Sequence, residues 1–223
     1  SRPYVRGITN LRGRIVQVLD LREMLGLPSL RSELDELVQL LRDREHDHIE
    51  WVQALRSTLE TGCEFTKSMD ADHCAFGQWK ASFHTENAVL KMQLDRFDHP
   101  HRSLHAAAKE VLDACRSGNK DHAHDLINQL EAGELATLRG LFEDTRRMLV
   151  EELREILVVL NVGGKAAGLV VDGVRSIRGL SEDAITAPDR NTLGNLDGML
   201  LGTTTVDDKL VLLLDVDALP VIG

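Results

Sequence analysis

Histidine and cysteine are the side chains of this 223-residue chain with the clearest capacity for chemistry, and they are unevenly placed. All nine histidines lie between positions 46 and 124, alongside three cysteines, Cys63, Cys74 and Cys115. Such clustering is a first sign of a metal, because imidazole and thiolate are the common ligands of zinc. The stretch HCAFGQW at 73–79 sets a thiol beside Phe76, a glycine and Trp79. His101 and His105 are four apart in a helical pattern, so they share one face. His48 stands three residues before Trp51 on another helical segment. One thiolate and three imidazoles make a sound tetrahedral set, with Trp51, Phe76 and Trp79 packed around it to exclude water.

Spacing alone leaves the matter open. A His-x-x-x-His pair arises by chance on helices, and a lone cysteine near a tryptophan equally suits a small buried apolar residue. His46, His73, His84, His99, His122 and His124 read as solvated or incidental. His122 and His124 are two apart and would point to different faces of a helix. Cys63 and Cys115 read as structural or free thiols, and three scattered cysteines do not make a disulfide framework. A reducing, cytoplasmic setting is the expectation.

The elements that must carry these residues change type twice. Residues 1–28 alternate apolar and polar side chains with turn glycines at Gly7 and Gly13, the pattern of strands. From about 30 to 155 apolar residues recur three or four apart, as in Leu30, Leu34, Leu37, Leu41, Ile49, Val52 and Leu55, the pattern of helices. Gly62 and the Gly118-Asn119 pair are stop and turn signals, and a last long helix contains Gly133 and Gly140, each costing about 1 kcal/mol relative to alanine. From 156 onward two apolar hairpin patterns return, turning at Gly163-Gly164 and Asp207-Asp208, with a polar loop at 187–198 between them.

Two separate β domains of these lengths would be weak alone, so one β domain interrupted by a helical insert is expected: 1–29, 30–155 and 156–223. The net charge of −10 argues against nucleic acid or an anionic membrane as the main partner. No apolar run approaches the ~20 residues of a membrane span, and no basic-plus-apolar leader is present. No phosphate loop, nucleophile elbow or His-Glu-x-x-His occurs, so a non-enzymatic scaffold or sensor is expected.

The series HIEW, CAFGQW and HRSLH, in that order, resembles the chemoreceptor zinc-binding (CZB) domain over roughly 35–150. That resemblance implies Zn2+ held by His48, Cys74, His101 and His105 in an antiparallel four-helix bundle, often dimeric. It also implies sensing of zinc or of oxidants such as hypochlorous acid. A zinc-bound sulfur is a thiolate open to oxidation, which would make Cys74 a redox switch. Two rivals are an inert zinc staple and a hemerythrin-like di-iron bundle. The latter would need more histidines and bridging carboxylates.

The flanking β parts resemble the CheW-like chemotaxis coupling domain, through GITNLRG (Gly7 to Gly13), VLDLR (Val18 to Arg22), GLVVDGV (Gly168 to Val174) and LVLLLDVDAL. The implied fold is α+β: an SH3-like β-barrel, its N-terminal strands partly missing, interrupted by the helical bundle. The implied partners are chemoreceptors and the chemotaxis histidine kinase, with Arg12, Asp172 and Val174 as candidate contacts. Asp172 and Asp215, at the ends of apolar strands, read equally well as turn formers.

Overall fold

The computed structural model describes residues 2–62, 64–152, 155–187 and 198–220. Cys63 and most of the polar loop expected at 187–198 lie outside them. The chain divides into two compact units, one formed by 1–33 with 154–223 and the other by 34–153.

The first unit is built from both ends of the chain. Strands β1 (Val5–Leu11) and β2 (Arg14–Asp20) form a hairpin, as do β3 (Ile156–Val162) and β4 (Lys165–Val171). The hairpins join through parallel pairing of β2 with β4, from Gln17↔Ala167 to Asp20↔Val170, giving a four-stranded sheet in the order β1-β2-β4-β3. Strands β5 (Leu200–Val206) and β6 (Lys209–Leu214) form a separate two-stranded sheet. The described strands are thus open sheets and not a closed barrel. The core of this unit is Leu19, Met24, Val162, Ala167, Leu169 and Leu219.

Turn chemistry explains all three hairpins. Arg12-Gly13, Gly163-Gly164 and Asp207-Asp208 each supply two consecutive residues with positive φ, as two-residue hairpin turns demand. Asn10 Oδ1 accepts from the Gly13 N–H at 2.8 Å and braces the first turn. The stretch expected to be strand throughout 1–28 instead bends at Asp20, whose carboxylate caps a one-turn helix α1 (Leu21–Met24) by accepting from the Glu23 N–H. Buried Asp20 is also held by Arg6, which bonds Glu155 as well.

The helical unit has three long spans and two short helices among its described residues. The spans are α2 (Leu30–Thr61), α5 (Asp98–Arg116), and α6 (Lys120–Leu130) running on into α7 (Ala136–Glu152). Between α6 and α7 the helix continues as a π-turn, Glu131–Leu135, at the weak point marked by Gly133. Arg56 of α2 supports that turn from outside through Glu131 and Asn128. Helices α3 (Ala75–Ser82) and α4 (Ala88–Asp95) complete the unit. One apolar core runs through it, with Leu41, Val52, Leu55, Phe97, Leu104, Ala108, Ile127, Leu138 and Phe142 all fully buried. No helix is long and apolar enough to cross a membrane among the described residues.

Candidate metal centre

Four side chains from three segments converge inside this core. His48 comes from α2, Cys74 from the residue that caps α3, and His101 with His105 from one face of α5. Their donor atoms all lie within 4.8 Å of one another, and no other such group occurs among the described residues. The three histidines are buried, and Cys74 is half-buried. The imidazoles meet edge to face, with centroids 5.0 Å apart for His48–His101, 5.7 Å for His48–His105 and 4.9 Å for His101–His105.

Hydrogen bonds on the far side of two rings set which nitrogen faces inward. His48 Nδ1 lies 2.6 Å from Arg44 O and His105 Nδ1 lies 3.1 Å from Ser68 O. A carbonyl can only accept, so each Nδ1 carries the proton and each Nε2 keeps a lone pair. Those two Nε2 atoms are buried and have no hydrogen-bond partner. Unpaired buried polar atoms are costly, and two aimed at one point ask for a cation. The third ring places His101 Nε2 3.2 Å from Cys74 Sγ.

Electrostatics agree with ligands that are neutral before binding. Burial and the neighbouring imidazoles push His101 down to about 3, and burial pushes His105 down to about 4. His48 is lowered as well, chiefly by burial. Burial raises the Cys74 thiol, opposed by the N–H groups of Gly77 and Phe76 at the start of α3. A dication reverses that balance by drawing the thiol to thiolate.

The residues present fit zinc. A tetrahedral ion with bonds of about 2.0–2.3 Å spaces its ligand atoms about 3.3–3.7 Å apart. The Cys74–His101 pair already lies near that spacing at 3.2 Å, and all four donor atoms lie within 4.8 Å of one another. No carboxylate belongs to the cluster, which the di-iron rival would require.

The segment carrying Cys74 is tightly specified. Asp70 caps a 3-10 turn (Ala71–His73) by accepting from the Asp72 N–H at 2.9 Å. Cys74 then caps α3, its Sγ accepting from the Gly77 N–H at 3.3 Å. Gly77 is obligatory there, because a Cβ would stand 1.9 Å from the Ala71 carbonyl oxygen. Arg102 reaches Asp72 with both terminal nitrogens, and Lys80 pairs with Asp98, so α5 grips this segment on either side of the thiol.

The expected packing residues divide. Phe76 touches His48 at 5.9 Å and His101 at 5.1 Å, and Trp51 touches His105 at 4.9 Å. Trp79 lies one layer out, against Phe76 and Phe83. Phe97 and Phe142, unmarked in the sequence, complete the apolar wall, with Phe142 6.0 Å from His48. The Ser68 carbonyl was also invisible, since a backbone oxygen leaves no signature in residue type. The remaining histidines stay outside the cluster. His46, His73, His84, His99 and His122 are exposed, and His73 pairs with Asp70.

In the β unit, Arg12 sits exposed at the β1–β2 turn and makes no hydrogen bond or ion pair among the described residues. Asp172 is bound to Arg22 at 2.7 Å, and Val174 is 55% exposed. Asp215 accepts from the Asp217 N–H at 3.0 Å and serves as a turn former.

A histidine–cysteine centre in a helical unit, in a chain whose two ends build one β unit, defines a two-part metal-binding protein. The family model of the CheW-like domain matches residues 1–55 and 134–221, more than half of the sequence, and the chain belongs to that family. The model of the chemoreceptor zinc-binding domain matches residues 48–112, a stretch holding all four clustered donors and Trp51. The CheW-like domain is therefore split around a zinc-binding one, and the pair makes a chemotaxis adaptor with a zinc-binding module. Both are non-catalytic adaptor and sensor domains. No curated protein and no solved structure matches the chain.

Proposed function

We propose that His48, Cys74, His101 and His105 bind one zinc ion, and that Cys74 is the element through which the module reads zinc or an oxidant such as hypochlorous acid. The observation that carries this reading is the convergence of two buried, unpartnered imidazole nitrogens on a thiol and a third imidazole. Cys74, His73 and Ser68 also line a cleft of about 290 Å³, giving a small oxidant a path to the sulfur. Hypochlorous acid would oxidise the Cys74 thiolate by forming an S–O bond and releasing chloride, and the resulting sulfenic acid would be a poorer ligand. The segment from Asp70 to Trp79 would then lose its anchor.

The β unit, with the insert entering near 30 and leaving near 155, would couple chemoreceptors to a histidine kinase in the cytoplasm, using Arg12 and Val174 as contacts. Asp172 is a weaker candidate because Arg22 already occupies it. An antiparallel four-helix bundle and a homodimer through the helices belong to this proposal. The test combines elemental analysis with titration by hypochlorous acid, following zinc release and Cys74 mass. One zinc per chain, released at near-stoichiometric oxidant, supports the reading. Zinc retained with Cys74 unmodified refutes oxidant sensing, and zinc that stays bound under chelator competition as well leaves an inert staple.

A further inference from the structure

We propose that Trp51 is a positioning residue of the metal centre, acting on His105 through a backbone oxygen that both side chains share. This rests on the four-ligand zinc reading above. Trp51 Nε1–H donates to Ser68 O at 2.8 Å, and His105 Nδ1 meets the same oxygen at 3.1 Å. A carbonyl oxygen has two lone pairs, so it accommodates both donors. The indole is 4% exposed and packs against the His105 and Phe65 rings, with centroids 4.9 and 5.3 Å away.

A comparison within the site shows why His105 needs this help. His48 is oriented by Arg44 O, a carbonyl four residues back on its own helix, which is fixed wherever α2 is fixed. His105 is oriented by Ser68, which lies in the non-helical connection between α2 and the 3-10 turn. That carbonyl is in place only if something holds the connection. Trp51 holds it from α2, and Ser68 Oγ braces it locally by donating to Asp70 O at 3.0 Å. Asp70 in turn caps the turn that delivers Cys74. One indole N–H thus fixes a ligand on α5 and steadies the connection leading to the ligand at the head of α3.

Removing that N–H leaves Ser68 O with His105 as a donor, so no buried acceptor is orphaned. The effect falls on ring orientation and on metal binding more than on folding. Trp51→Phe keeps an aromatic ring against Phe65 and deletes the donor. Zinc per chain, zinc affinity by chelator competition, and the melting temperature of the metal-free protein would be compared with wild type. The protonated nitrogen of His105 would be read by 15N NMR in metal-free wild type. The expected results are one zinc in wild type, Nδ1–H at His105, and zinc affinity about tenfold weaker in the variant. Affinity within twofold of wild type overturns the proposal, whatever happens to the melting temperature. So does an Nε2–H tautomer in the metal-free wild type, a readout that does not depend on the variant folding. Wild type without zinc overturns the four-ligand reading itself, while the NMR result still reports whether the shared carbonyl orients His105.

Discussion

Replacing Gly77 by alanine sets two opposed effects against each other at the head of α3, and the structure decides between them. Helix propensity favours alanine over glycine by about 1 kcal/mol in a helix interior. Sterics oppose it, because the new Cβ would lie 1.9 Å from Ala71 O, 3.0 Å from Ala71 C and 3.1 Å from Asp72 Cα. All three are backbone atoms, so no side chain can swing aside. To open the first contact beyond 3.0 Å, the 3-10 turn and α3 must separate, and Cys74 joins them. Overpacking of this kind costs about 1–3 kcal/mol, occasionally more. The net expectation is destabilisation of up to about 2 kcal/mol in the metal-free protein. A zinc affinity loss of at least about tenfold should accompany it, because a ligand is displaced. Thermal denaturation in chelator measures the first, and chelator competition measures the second. A variant that melts higher than wild type, with unchanged zinc affinity, would show that propensity wins and that the close approach of Ala71 does not constrain the thiol.

Three further outcomes are expected. The buried imidazoles titrate below their ordinary 6.5, His101 at about 3 and His105 at about 4. The unfolded chain therefore binds protons first as pH falls. Metal-free stability should drop from pH 6.5 toward 4, by up to about 1.4 kcal/mol per pH unit for each histidine, and denaturant melts across that range would detect it. A flat profile would mean that these rings are not buried. Cys74→Ser replaces the sulfur with a harder oxygen; zinc affinity should fall by more than the roughly tenfold of an outer-shell change, and hypochlorous acid should no longer trigger release. Arg12→Asn should leave the melting temperature unchanged or raised, since asparagine tolerates the φ of 52° that arginine resists, yet weaken binding to receptor or kinase in a pull-down. Full binding by this variant removes Arg12 from the contact surface.

What the sequence made legible follows from how local each cause is. The extent of α2 was readable because apolar residues from Leu34 to Leu55 repeat at helical spacing over many turns, and it spans Leu30–Thr61. The hairpin turns were readable because Gly163-Gly164 and Asp207-Asp208 suit positive φ. Helix α1 escaped notice because a four-residue helix has no period, and its cause is one capping carboxylate, Asp20. The four donors could be named from residue type and resemblance, but not the groups that aim them. Arg44 O and Ser68 O are backbone atoms, present at every position and made special only by folding. Phe97 and Phe142 looked like any other core residues until they packed 4.8 Å apart beside Phe76. The glycine of CAFGQW was visible from the start, but its reason was not: it is the absence of a side chain under Ala71 O that seats Cys74 at the head of α3. The thiol, its cap and the missing Cβ form one device, so a single methyl group at Gly77 should be felt at the metal.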